Sequence, residues 1–193
     1  MTPVREGKQH YWIIIVSIIV VGVVVDQIAK AIAVARLVPG RPVKLVSDIF
    51  ELLLMRNPGA AFSTGTSLTA VFTVLAIVVL VGVSIWIVPK VRCRIWAVTI
   101  GLGMAGVLGN LVDRLVRTPG PFRGYVIDFF ALKYFAVFNV ADIMLTTAAV
   151  LIVVMALFKR IDFDGQVMTA KAGQADKAGQ DDRAGQATKD DRG

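Results

Sequence analysis

The chain has 193 residues, 56% of them hydrophobic, with a mean hydropathy of +0.70 and a formal net charge of +7. That apolar share excludes an ordinary soluble domain and points to an integral membrane protein. One cysteine, Cys93, excludes an intramolecular disulfide. One histidine, His10, ahead of the first apolar run, argues against a Ser-His-Asp triad, a Cys-His pair or an HExxH zinc site. Catalysis, if there is any, must use carboxylates or a serine with a lysine.

A membrane-spanning helix needs roughly 20 apolar residues, because the hydrocarbon core is about 30 Å thick and a helix rises about 1.5 Å per residue. The first segment that qualifies begins at Tyr11, is strongly apolar to Val25 and continues through a polar patch toward Leu37. It has some marks of a cleaved signal peptide: Arg5 and Lys8 ahead of it, and a small-x-small pattern at Ala33-Val34-Ala35. Asp26 and Lys30 interrupt it before any such cleavage point, so it is expected to be a retained helix. Residues 38–67 follow, with Pro39-Gly40, Pro42 and Pro58-Gly59 around a β-prone stretch from Ile49 to Met55.

The second span is expected at Leu68 to Val88 and the third at Ile95 to Val112. The short link between them, PKVRCR at 89–94, is basic and places that side in the cytoplasm. Residues 115–135 hold Pro119-Gly120-Pro121 and a second β-prone run, YVIDFF. The fourth span is expected at Val137 to Phe158. Both termini would then be cytoplasmic and both longer loops extracytoplasmic. From Gln166 onward the tail, which includes KAGQADKAGQDDRAGQ at 171–186, has 5 basic and 5 acidic residues and no apolar period. Such a segment cannot bury enough surface to offset its ordering entropy. The division expected is a membrane domain at 1–165 and a disordered hydrophilic tail at 166–193.

On this scheme the polar residues within and beside the spans gather at one end. Asp26 and Lys30 are an i,i+4 pair, and Gly106, Asn110 and Arg114 are spaced by four, with Asp113 between the last two. Asn57 precedes the second span, Asp128 lies in the outer loop, and Asn139 and Asp142 open the fourth span. Ionisable groups at membrane depth are costly, face the bundle interior and mark function. Salt bridges that orient helix ends account for Asp26 with Lys30 and for Asp113 with Arg114. Close helix packing accounts for Gly101, Gly103, Gly106 and Gly109, and interfacial anchoring for Trp12, Trp86 and Trp96. Asn57 fits either a turn or a substrate contact. Asp128 and Asp142 have no basic neighbour at helical spacing. Two such carboxyls in one place would share a proton, one taking a proton from water and the other donating to a carbonyl oxygen. That is aspartic-peptidase chemistry, and it requires no cofactor. A Ser–Lys pair (Ser63 or Ser67 with Lys30 or Lys133) and a proton-coupled carrier with Asp142 as relay are the rival readings.

The ordered set DQIAK (26–30), NPGAAF (57–62), GNLVDR (109–114), VIDFF (126–130) and FNVADI (138–143) resembles the lipoprotein signal peptidases, or signal peptidase II, across residues 10 to 160. The resemblance implies an all-α membrane protein: four transmembrane helices with a small extracytoplasmic β-sheet cradle and a short interfacial helix. It implies an endopeptidase of the bacterial plasma membrane that removes signal peptides from diacylglyceryl-modified prolipoproteins, cutting before the lipidated cysteine. Asp128 and Asp142 fall on the family's catalytic pair. Asp26, Lys30, Asn57, Gly106, Asn110, Arg114, Asn139 and Ala141 fall on positions that bind substrate or support the site, and Asp113 on a structural partner of an arginine. The three asparagines are expected to hydrogen-bond the substrate backbone. The expected partners are lipidated proproteins and membrane lipids, not nucleic acid, with the chain acting as a monomer. The step of 14 positions from Asp128 to Asp142 is shorter than is usual, and the repeat tail has no family counterpart.

Overall fold

The structure, a computed structural model, describes residues 10–47, 49–59 and 67–159. The repeat tail and Ser63 lie outside the described residues. Four helices carry the fold: α1 (Tyr11–Arg36), α2 (Ser67–Gly82), α3 (Arg94–Val116) and α4 (Val140–Val154). A π turn (Val83–Ile87) and a 3-10 turn (Val88–Lys90) prolong α2, and a π turn (Met155–Lys159) follows α4. All four are long and apolar enough to cross a membrane. These Val- and Ile-rich runs would favour strands in water. In lipid each backbone N–H and C=O must be satisfied within its own segment, and the helix does this.

Two boundaries differ from the periodicity. α3 runs past Val112 to Val116, since Asp113, just beyond the expected end, is buried and Arg114 half-buried against the protein. The fourth helix begins at Val140, because Val137 and Phe138 pair as a strand and Asn139 caps the helix.

α3 is the most buried helix, and α1, α2 and α4 all pack against it. Its approach to α4 depends on Gly106, where a Cβ would stand 2.5 Å from the Ala141 carbonyl oxygen. At Gly109 a Cβ would stand 2.8 Å from Asp26 Oδ2. Both glycines allow the close contact that membrane helices, lacking a hydrophobic drive toward one another, obtain from small residues. At one end of the bundle, Ile15, Val91, Ala97 and Ile100 form an apolar core.

The other end carries an antiparallel sheet in the order β1 (Val43–Val46), β2 (Phe50–Asn57), β3 (Val126–Leu132) and β4 (Val137–Phe138). Ile127 and Phe129 on β3 and Leu54 on β2 pack on Ala33 of α1, which seats the sheet on the bundle. With side chains alternating along a strand, Asp128 faces away from that cluster. Among the described residues no separate short helix accompanies the sheet; residues 60–66, between β2 and α2, are outside them.

Candidate active site

Asp128 is 1% exposed. Met55 pairs with Asp128 and Asn57 with Val126, which puts Asn57 diagonally beside Asp128 on one face of the sheet. Asn57 Nδ2 donates to Asp128 Oδ2 at 2.8 Å, and Asn139 Nδ2 donates to Asp128 Oδ1 at 2.6 Å. Asp142 sits in the first turn of α4. Its Oδ1 accepts from Asn110 Nδ2 at 2.8 Å and its Oδ2 from the Asn139 backbone N–H at 3.1 Å. Asn139 therefore holds both carboxyls, one through its amide side chain and one through its main chain. Asn139 Oδ1 accepts in turn from the Asp142 N–H, which completes a capping box at the start of α4.

Each of Asn57, Asn110 and Asn139 donates its side-chain amide to one of the two aspartates, and Asn139 is fully buried. At Asp128 the Asn57 and Asn139 donors favour the ionised carboxylate. Burial acts in the opposite direction and prevails at Asp128. It pushes that carboxyl from 3.8 up to about 6, against the Asn57 and Asn139 donors; nearby Asp142 raises it further and Lys30 lowers it.

A buried ionic cluster lies behind the pair. Lys30 Nζ contacts Asp26 Oδ2 at 2.8 Å and Asp113 Oδ2 at 2.8 Å, and donates to Asn110 Oδ1 at 2.9 Å. All three ammonium hydrogens are thus engaged. Arg117 Nε reaches Asp113 Oδ1 at 2.6 Å, so two cations face two carboxylates. The expected arginine partner of Asp113 is Arg117; the neighbouring Arg114 makes no bridge to it. Gln27 Nε2 lies between the carboxylates, 3.1 Å from Asp26 and 3.2 Å from Asp113. It belongs to the DQIAK run, yet its reach across to α3 has no signature in local spacing.

The cluster acts on the backbone beside each aspartate. Asp113 Oδ2 accepts from the Ile127 N–H at 3.2 Å, one residue before Asp128. Asp26 Oδ1 accepts from the Ala141 N–H at 2.9 Å, one residue before Asp142. That second contact also satisfies one of the amide hydrogens left free at a helix start and sets negative charge at the positive end of α4. With its ammonium fully engaged and fully buried, Lys30 has no capacity to act as the base of a Ser–Lys pair.

Arg114 differs from these residues. Its guanidinium lies near Asp128, Asp113 and Asp142 and stands 6.0 Å from the Phe72 ring, yet Nη1 is buried with no hydrogen-bond partner, the one such side-chain atom among the described residues. It borders a cavity of about 240 Å³ together with Asn110, Gly106 and Leu145.

The sequence pattern that defines Signal peptidase (SPase) II matches residues 18–158. The chain belongs to the signal peptidase II family. It is 46% identical over 141 residues to the lipoprotein signal peptidase of Rhodococcus jostii, covering 72% of this chain and 71% of the relative. The lipoprotein signal peptidase of Mycobacterium tuberculosis is 41% identical over 150 residues, covering 78% and 73%. A bacterial membrane enzyme solved by the in meso method at 1.9 Å superposes with a TM-score of 0.67 at 27% identity, over 75% of this chain and 92% of the other. As a signal peptidase II, the chain is a bacterial membrane peptidase that cleaves signal peptides from prolipoproteins.

Proposed function

We propose that Asp128 and Asp142 are the catalytic pair, placed at the extracytoplasmic face of the plasma membrane, and that the bond cut lies immediately before the diacylglyceryl-modified cysteine. The observation that carries this reading is the double hold of Asn139, which fixes one carboxyl by its side chain and the other by its backbone. Asp128, pushed up to about 6, is the member suited to hold the shared proton, which leaves Asp142 to take one from water.

In the forward step Asp142 takes a proton from water as the water oxygen bonds to the carbonyl carbon. Asp128 gives its proton to the carbonyl oxygen, and a neutral tetrahedral diol forms. On collapse the C–N bond breaks. The cysteine nitrogen takes the proton from Asp142, Asp128 recovers one from the diol, and the dyad returns to its starting state with a carboxylic acid and a free amino group as products.

Arg114 has a buried N–H without a hydrogen-bond partner and borders the same cavity as Asn110, and its role is to hold a substrate carbonyl. Asp26, Lys30, Asp113 and Ala141 position the pair through the two backbone contacts, and Gly106 sets the distance between α3 and α4. The chain acts as a monomer among membrane lipids, with both termini cytoplasmic.

The position of the cut is tested by incubating the purified protein in lipid vesicles with one diacylglyceryl proprotein and with its unlipidated form. The expected product begins at the modified cysteine, and only the lipidated substrate is turned over. Cleavage at another peptide bond, or equal turnover of both forms, would refute it.

A further inference from the structure

Two apolar depressions lie on opposite faces of α4, one headed by Asp142 and the other by Asn110 and Arg114. With 100° between successive residues, Leu145, Ala148, Ala149 and Ile152 share one face, while Ile143, Thr147, Val150 and Leu151 share the other. Asp142 lies at the seam between them. The first face closes a trough floored by α3 and walled by α2. There a cavity of about 250 Å³ around Thr99, Gly103 and Ala148 adjoins the cavity beside Arg114, the two sharing Val79, Val107 and Leu145. The second face forms a groove of about 620 Å³ beneath the β3–β4 hairpin, with Asp142 at its head and Phe135 and Phe138 along its hairpin side. Of the two threonines in this groove, Thr146 and Thr147, the latter has its hydroxyl satisfied within the helix, donating back to the Ile143 carbonyl at 2.7 Å.

Their depths differ. Asn110 and Asp142 are hydrogen-bonded and so stand at one level. From Asn110 the trough descends α3 to Trp96, about 21 Å at 1.5 Å per residue, which is the length of a long signal-peptide apolar region. From Asp142 the groove stops at Leu151, about 14 Å down, close to half of a hydrocarbon core about 30 Å thick.

A lipidated proprotein needs two apolar paths of these kinds. Its signal helix leaves the scissile bond on the amino side and crosses the membrane. Its acyl chains leave from the residue on the carboxyl side and occupy one leaflet. We propose that the groove under the β3–β4 hairpin receives the acyl chains of the substrate's diacylglyceryl cysteine, and that the α2–α3–α4 trough receives its signal helix. This rests on Asp128 and Asp142 being the reacting pair, since the groove begins at one of them. The hairpin tip fits the mouth of a lipid-fed site: Tyr134 and Phe135 are 95% and 82% exposed, next to Lys133. Such aromatic and basic side chains settle at the headgroup level. Because a chain leaving the bilayer gains no hydrophobic free energy, the groove selects by shape and length.

The test compares proproteins carrying dipalmitoyl and dioctanoyl glyceryl groups, in vesicles, with the unaltered protein and with Val150→Trp. Val150 is 54% exposed on the groove face, so the larger ring fits without disturbing the bundle. The ratio of kcat/KM for long over short chains is expected to fall about tenfold, the size of one steric misfit. An unchanged ratio would overturn the proposal. Independently, a diazirine at mid-chain on the palmitoyl group, bound to Asp128→Asn, is expected to label α4 between 147 and 151. Labelling of Val79 or Met104 in the trough, or of lipid alone, would overturn it. Failure of the unaltered protein to cleave either proprotein would instead refute the catalytic reading itself.

Discussion

The proton that the aspartate pair shares is governed by a contest at Asp128 between burial, which disfavours charge, and two amide donors that favour it. Burial prevails, and between pH about 4 and about 6 the native protein holds a proton that the unfolded chain has released. Stability from this group therefore decreases as pH rises through that window. Activity follows the same proton: kcat/KM is expected to fall above pH about 6, where the singly protonated pair is lost. Asn57→Ala removes one donor from the ionised form, so the falling limb moves to higher pH, as a pH–rate profile of the purified variant would show. A limb that moved down, or did not move, would contradict the assignment of the proton to Asp128. The pairing of Asn57 with Asp128 was not legible in the sequence, because 71 positions separate them and only strand register brings them together. The role of Asn139 is legible in the sequence, since Asn-x-x-Asp ahead of an apolar run has the form of a capping box.

Among the elements, α3 decides how closely the parts of the site meet. Gly106→Ala would drive a methyl group to 2.5 Å from the Ala141 carbonyl, displacing α4 and Asp142 with it. Gly103→Ala meets only Ala148 Cβ at 3.5 Å, an ordinary contact. The first variant is expected to lose activity and about 1–3 kcal/mol of stability and the second to retain both, measured by thermal unfolding and turnover in detergent. Lys30→Met leaves Asp26 and Asp113 buried without their ammonium and is expected to cost about 3–5 kcal/mol. Adding Asp26→Asn should restore part of that loss; a neutral effect of Lys30→Met would show that the cluster does not hold the helices. The close packing at these glycines and the Asp26–Lys30 pair were legible from spacing on one helix. The third and larger part, Asp26 capping a helix 115 positions away and Gln27 reaching α3, depends on how helices assemble and leaves no mark in any local period.

At the scale of the whole molecule, the four spans and the extramembrane sheet were read correctly because lipid imposes length and composition on a helix, and alternation imposes itself on a strand. Side choice is weaker, since basic residues also occur in the loops at the sheet end. The lone cysteine makes it measurable: Cys93 lies on the basic α2–α3 link, half-buried. A membrane-impermeant maleimide should miss it in intact cells and reach it after lysis, whereas Tyr134→Cys in a Cys93→Ser background should react from outside. The reverse pattern would place the aspartates on the cytoplasmic side. The central claim is that Asp128 and Asp142, joined through Asn139, form one catalytic unit, and single-turnover cleavage of a diacylglyceryl proprotein by Asp128→Asn, Asp142→Asn and the double variant tests it most directly. The account predicts that each single change slows the chemical step about 10²–10⁴-fold with substrate still bound, and that the double variant is little slower than either. Full turnover in either single variant, or losses that multiply in the double, would contradict it.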